Sequence, residues 1–195
     1  LRITLPQDLV PLLAPHLRAL ARACPHLVPE LVVEERALDL ARETHVALRA
    51  GRDPPPEALG RRVGTLRWAV YAPRGTPRSA PWVTYDGMDH VPAVAWWNRL
   101  HGKDAVLARV NRVSAMAALL PGLHARGLLP CHAGDREPAL RRAGAPVVDG
   151  DTPLWLLWHA DLRRSARIRA FMDVVMPGLE KDVAALAEKK AGARE

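Results

Sequence analysis

The chain has 195 residues, 49% hydrophobic and 25% charged, which argues against a disordered or fibrous polymer and leaves length for one large domain or two small lobes. The formal charge of +7 comes mostly from arginine, and the arginines are scattered (Arg61, Arg62 and Arg67; Arg136, Arg141 and Arg142; Arg163, Arg164, Arg167 and Arg169), so no stretch reads as a basic arm. Cys24 and Cys131 lie too far apart to suggest a disulfide framework, and no apolar run is long enough to span a membrane.

In chain order, Leu1–Leu5 reads as a strand, not a signal peptide, and ends at Pro6. Asp8 is placed to cap a helix in which Leu9, Leu12, Leu13, Leu17, Leu20 and Ala21 recur at helical spacing. Pro11 suits a first turn and Pro15 does not suit an interior, so the regular helix is expected to begin at Pro15 and to end at Pro25. Leu31–Glu34 is β-rich, Ala37–Glu43 reads as a short helix, and Val46–Leu48 as a buried strand. Gly51–Pro56 is a loop. Leu59–Ala72 is strand-like with a break at Gly64, and Trp82–Tyr85 is a strand. Val91–Leu100 reads as a helix, Val106–Val110 as a strand, and Ser114–Leu120 as a helix interrupted by Pro121 and Gly122. Gly127–Leu129 is a short strand, Glu137–Arg142 a short helix, and Leu154–Trp158 an apolar strand. Ser165 caps a last helix with Ile168, Phe171, Met172 and Val175 inward and its arginines outward, which Pro177 kinks or ends and which Val183–Ala187 is placed to extend. The tail Lys189–Glu195 carries a disordered composition.

Alternating strands and helices point to an α/β fold with parallel sheets. The pattern divides into two lobes: residues 1–63 with 154–195, and residues 66–150, with hinge crossovers at 64–65 and 151–153. Such an arrangement places a ligand cleft at the junction.

Several stretches carry a family resemblance, in order, across nearly the whole chain. Arg2-Ile3-Thr4 followed by Leu12-Leu13-Ala14-Pro15-His16-Leu17 opens it. Leu38-Asp39-Leu40 with Val46-Ala47-Leu48-Arg49-Ala50-Gly51 follows, then Leu59-Gly60-Arg61-Arg62-Val63, then Asp89-His90-Val91-Pro92 with Trp96. The run Leu128-Leu129-Pro130-Cys131-His132-Ala133-Gly134-Asp135, with Glu137-Pro138-Ala139-Leu140, comes next. Leu154–His159, Asp161–Arg164 and Arg167–Asp173 close it. Together these resemble the effector-binding domain of LysR-type transcriptional regulators. The sequence departs from the family pattern at His45, where an aspartate is usual, and at Gly122–Pro130, where the glycines are displaced and Pro121 precedes them.

The resemblance implies two Rossmann-like lobes joined by two crossover strands, a periplasmic-binding-protein-like fold of type 2. It also implies a small-molecule effector, anionic or aromatic, held in the interlobe cleft at helix N-termini and strand ends. The matching positions are Thr4, Leu5, Pro6 and Gln7 at the first strand-to-helix turn, Arg49 after the third strand, Thr84, Tyr85 and Asp86, and Asn111, Arg112 and Ser114. Free amides and the helix dipole favour carboxylates there, and Arg49 and Arg112 have the geometry for bidentate pairing. The competing reading is that Arg49 pairs with an acidic neighbour, Ser114 only caps its helix, and Tyr85 and Asp86 form a turn. Symmetric homodimerisation is implied through Pro11–Ala23 and Leu31–Glu34 of one subunit and Ser114–Ala125 of the other.

No metal or other cofactor is expected: His90, His101, His124, His132 and His159 lack zinc-site spacing, and Cys131 reads as a buried, inert thiol. The six tryptophans read as packing, with one or two of them free to line the cleft. No G-x-S-x-G elbow or phosphate-binding glycine loop is present, so an enzyme is not expected. The expected protein is cytoplasmic, a fragment of a regulator whose DNA contact lies only in a missing N-terminal helix-turn-helix domain. The alternative is a stand-alone solute-binding protein of the periplasmic type.

Overall fold

The computed structural model describes residues 1–35, 40, 42–51, 54–56, 58–101 and 105–188; the side chains of residues 148, 149 and 188 are outside that description. The elements in chain order are β1 (Arg2–Leu5), a 3-10 turn (Gln7–Leu9), α1 (Val10–Ala23), β2 (Glu30–Val33), β3 (Val46–Ala50), β4 (Ala58–Pro73), β5 (Trp82–Tyr85), α2 (Pro92–His101), β6 (Val106–Val110), α3 (Val113–Leu123), β7 (Arg126–Pro130), α4 (Cys131–Gly134), β8 (Leu140–Arg142), β9 (Val147–His159), a second 3-10 turn (Ala160–Arg164) and α5 (Ala166–Glu188). The helix expected at Ala37–Glu43, part of the Leu38–Leu40 motif and the Lys189–Glu195 tail lie outside the described residues.

The chain forms two compact units. Unit 1 is Leu1–Thr65 with Pro153–Ala185, and unit 2 is Leu66–Thr152 with the residues from Leu186 onward. In unit 1, β1 pairs in parallel with β2 and β3, and β3 pairs antiparallel with β9. Its core gathers Ile3, Leu5, Leu9, Leu12, Leu13 and Leu20 with Leu154, Leu156, Phe171, Val175 and Leu179, all at most 2% exposed. Each such side chain contributes about 1.5–3 kcal/mol of hydrophobic stabilisation relative to exposure. In unit 2, β5 pairs in parallel with β6 and β7, while β4 pairs antiparallel with β7 and β8. Its core is richer in aromatics, with Trp68, Tyr71, Trp82, Tyr85 and Trp97 buried among Met116, Leu120, Leu128 and Leu129. The strand pairing within each unit is thus mixed, not purely parallel: β9 in unit 1 and β4 in unit 2 are the antiparallel members. Their apolar character reflects burial, since Leu154, Leu156 and Leu157 of β9 are all buried.

Three helices keep a proline inside. α1 runs unbroken through Pro15, so it does not begin there, and Asp8 lies in the preceding turn instead of capping it. α3 includes Pro121, and α5 continues through Pro177 to Glu188 without ending. A proline deprives the carbonyl four residues earlier of its partner. In α1 and α5 the residues four positions earlier are Pro11 and Asp173, both exposed, so the missing helical bond falls on the solvent-facing side while the opposite face stays packed. In α3 the turn ends at His124, whose left-handed φ of 46° lets its N–H reach back to Leu120 and Pro121.

Two further expectations are corrected. Glu137–Arg142 is not helical: Leu140–Arg142 forms β8 against Ala72 and its neighbours in β4, and that pairing overrides a local helical pattern. Gly64 does not break β4. A Cβ there would lie 2.6 Å from Val183 Cγ1, so this glycine marks a close approach of α5 to the strand.

Candidate functional site

The sequence-derived site residues fall into two groups, one in each unit, both at carboxyl ends of parallel strands. In unit 1, Thr4 and Leu5 end β1 and are fully buried. Pro6 then starts the 3-10 turn, whose Leu9 N–H donates to the Pro6 carbonyl at 3.1 Å, and Gln7 is exposed on it. Arg49 lies near the end of β3. Its guanidinium donates to Thr4 Oγ1 at 2.8 Å and to the Glu34 carbonyl at 2.5 Å. Burial lowers the Arg49 pKa, with Glu35 and Glu34 acting in the opposite direction. An arginine nonetheless stays charged at neutral pH, so unit 1 holds a partly desolvated cation at its strand ends. Both Thr4 and Arg49 come from the sequence reading, and the fold puts them in direct contact.

Glu34 and Trp155 were missed. The parallel register that sets Val33 beside Leu5 carries Glu34 to the turn, and its N–H donates to the Leu5 carbonyl at 3.0 Å. That register is not legible from one sequence. Trp155 lies across from Arg49 in the β3–β9 ladder, so the two share a sheet face, and its buried indole N–H has no acceptor among the described residues.

In unit 2, β5 and β6 end together: Tyr85 is opposite Val110, and the Asp86 N–H donates to the Val110 carbonyl at 2.8 Å. Asp86 is exposed, and Gly87 after it takes the positive φ of 69° that the turn requires. The Tyr85 hydroxyl is directed inward, donating to the Leu128 carbonyl at 2.9 Å, and its ring packs edge-on to Trp68. Thr84 is only 1% exposed, and its hydroxyl has no hydrogen-bond partner among the described residues. Asn111 and Arg112 are exposed after β6. Arg112, in extended conformation, is the N-cap of α3, so Ser114 sits inside the first turn and does not cap it. The amides and positive dipole end of α3 are presented at the end of β6.

Asn98 of α2 is a polar residue that the sequence reading missed. Its Nδ2 donates to the Tyr85 carbonyl at 3.1 Å and to Asp89 Oδ1 at 3.2 Å, leaving Oδ1 buried without a donor among the described residues. Nothing in the α2 periodicity distinguishes it from a solvated surface residue.

A second polar cluster in unit 2 was not legible in the sequence. Tyr71 Oη donates to Asp135 Oδ1 at 2.6 Å, and Arg142 pairs with both oxygens of that carboxylate. The bond to Asp135 raises the Arg142 pKa, and burial raises that of Tyr71. The Tyr71 ring lies flat on Gly134, where a Cβ would meet it at 2.4 Å. Cys131 beside them is 3% exposed, and burial pushes its thiol up, away from the reactive thiolate. This cluster clamps β4, β8 and α4 together. Among the described residues, no group of three or more His, Cys, Asp or Glu side chains could hold a metal ion.

A family model described as the LysR substrate binding domain matches residues 1–179. The chain belongs to the LysR substrate-binding domain family. No curated protein matches the sequence. Among solved structures, the effector domain of the transcriptional regulator AmpR of Pseudomonas aeruginosa is similar at a TM-score of 0.78 and 17% identity, over 96% of this chain and 99% of that one. The regulatory domain of CrgA, a LysR-type regulator from Neisseria meningitidis, gives 0.73 and 19% over 92% and 98%. Full-length AphB of Vibrio cholerae gives 0.64 and 15%, over 90% of this chain and 67% of that one. These identities establish shared fold: the two-lobed, periplasmic-binding-protein-like α/β architecture of LysR regulatory domains. As a LysR substrate-binding domain, the chain is an effector-binding regulatory domain. No helix among the described residues is long and apolar enough to cross a membrane.

Proposed function

We propose that this LysR substrate-binding domain senses a small anionic or aromatic metabolite at the carboxyl ends of its parallel strands and controls transcription without chemically changing the metabolite. The observation that carries the reading is the Arg49–Thr4 pair: a charged guanidinium held at the ends of β1 and β3 by a buried hydroxyl and a backbone carbonyl. A carboxylate is the natural complement of such a group. The indole N–H of Trp155 on the same sheet face adds a second donor. In unit 2 the α3 N-terminus, with Asn111 and Arg112 before it, supplies further donors to an anion. The aromatic half of the reading rests on Trp155 as a ring available for stacking.

The test is a thermal-shift screen of small carboxylates and aromatic acids. A true effector raises Tm progressively with its concentration, by mass action on the folded state. Thr4→Ala and Asn111→Ala each diminish that shift. A hit whose shift is unchanged in both variants places the site elsewhere.

The same reading includes a cytoplasmic homodimer. β2 and β6 are edge strands, and Val33 on β2 and Leu119 on α3 are large apolar residues exposed at 43% and 38%. Val33→Glu is expected to shift the molecular mass in light scattering from dimer to monomer, and a wild-type chain that is monomeric at high concentration defeats the dimer.

A further inference from the structure

Strand register places Arg2 at the same end of unit 1 as the sequence-local group Arg163, Arg164, Arg167 and Arg169. Trp158 of β9 is opposite Val46 of β3, Val46 is opposite Ile3 of β1, and Arg2 is opposite Glu30 of β2. The end of β9 therefore lies at the amino ends of β1, β2 and β3, the edge of unit 1 opposite to Leu5 and Ala50. The 3-10 turn with Arg163 and Arg164 and the first turn of α5 with Arg167 and Arg169 leave from that edge. All four side chains are exposed, and none has a carboxylate partner among the described residues. After burial, Arg167 and then Arg2 disfavour protonation of His45, which puts both within electrostatic reach of that ring, with Glu30 opposing. Glu30 pairs with Arg2 at 3.4 Å and Asp161 faces His159 at 3.3 Å, while Arg163, Arg164 and Arg167 have no carboxylate partner among the described residues, so the excess positive charge of this end rests on those three.

The chemistry of the patch selects among partners. Protein interfaces rest on apolar and aromatic anchors at their centre. Among the described residues, Val28 is the one large exposed apolar side chain near this edge, and none falls among residues 159–170. Phosphate contacts need only charge and donor geometry, and guanidinium supplies both. We infer that Arg163, Arg164 and Arg167, with Arg2 beside them, form a docking face for the phosphate backbone of duplex nucleic acid, independent of base sequence. This contact adds to any made by a helix-turn-helix domain, and it stands apart from the effector reading because it lies at the other end of the strands.

The probe is a labelled random-sequence DNA duplex of about 30 base pairs, followed by fluorescence anisotropy with the 195-residue chain between about 20 and 200 mM NaCl. Engagement of three or four phosphates gives a slope of log affinity against log salt of about −3. The combined variant Arg163→Gln, Arg164→Gln and Arg167→Gln is expected to flatten that slope by about 2.7 and to weaken binding at least about tenfold at the lowest salt. A control with the same change in net charge, Arg74→Gln, Arg78→Gln and Arg99→Gln, is expected to keep the wild-type slope. Circular dichroism melts verify that both variants fold. Absence of salt-dependent binding overturns the inference, as does equal loss in the control, which reduces the effect to net charge. Stronger competition by poly-glutamate than by duplex of equal charge assigns the face to an acidic protein instead.

Discussion

The strand ends of the two units solve the same packing problem with opposite chemistry. At the strand ends of unit 1 the group without a partner among the described residues is a donor, the Trp155 indole N–H, beside a guanidinium bonded to Thr4 and the Glu34 carbonyl. Among the described residues of unit 2, the buried groups without a partner include the Thr84 hydroxyl and the Asn98 amide oxygen. A ligand contacting unit 1 is met by donors and positive charge; one contacting unit 2 also finds an acceptor. Buried polar groups without partners cost stability, so residues of this kind hold their positions at the expense of the folded state.

Substitutions sharpen this contrast. Arg49→Ala leaves a buried hydroxyl and a carbonyl without their donor and is expected to cost about 2 kcal/mol, a Tm loss of roughly 6 °C for a chain of this length. A Tm within about 1 °C of wild type in calorimetry shows that the guanidinium does not support unit 1. Thr4→Val removes only one acceptor and is expected to cost about 1 kcal/mol by urea denaturation. Thr84→Val is expected to act in the other direction, stabilising by up to about 1 kcal/mol, because it replaces an unpaired hydroxyl with an isosteric methyl. Destabilisation by Thr84→Val breaks the comparison, since it means the hydroxyl is already satisfied.

The smallest effect concerns pH. His45 Nδ1 accepts the Arg2 N–H at 2.9 Å, which requires a neutral ring on that nitrogen, and burial followed by Arg167 lowers its pKa. The unfolded chain therefore takes up the proton first. The stability from His45 is complete above the ordinary histidine pKa of about 6.5 and is lost as pH falls from there through the lowered folded value. Wild type minus His45→Asn stability, measured from pH 8 to 5, is expected to shrink in acid. A difference independent of pH removes His45 as the cause.

How much was legible in the residues differs between fold and site. The strands Trp82–Tyr85 and Val106–Val110 were read with the observed bounds because short β-rich runs between turns leave few alternatives. One proline misled: a local rule placed the start of α1 at Pro15, whereas the helix runs through it; at Pro177 the choice between a kink and an end was left open, and the helix continues. β8 was misread because its cause is a partner strand some seventy residues earlier, Tyr71 opposite Arg142. At the site, Thr4 and Arg49 followed from ordered family motifs. Trp155, Asn98 and the basic edge did not, since each depends on register or on which helix residue meets a strand end.

Gly64 has a bearing on how this chain can change over generations. It lies on β4 one residue before Thr65, where the backbone leaves unit 1, and the atom it faces belongs to a β-branched residue with essentially one side-chain orientation available in a helix. The neighbour cannot swing aside, so a drift to alanine has to displace α5 itself. Such a site is conditionally open: a smaller residue at Val183 must arrive first, which ties the histories of two positions far apart in the gene.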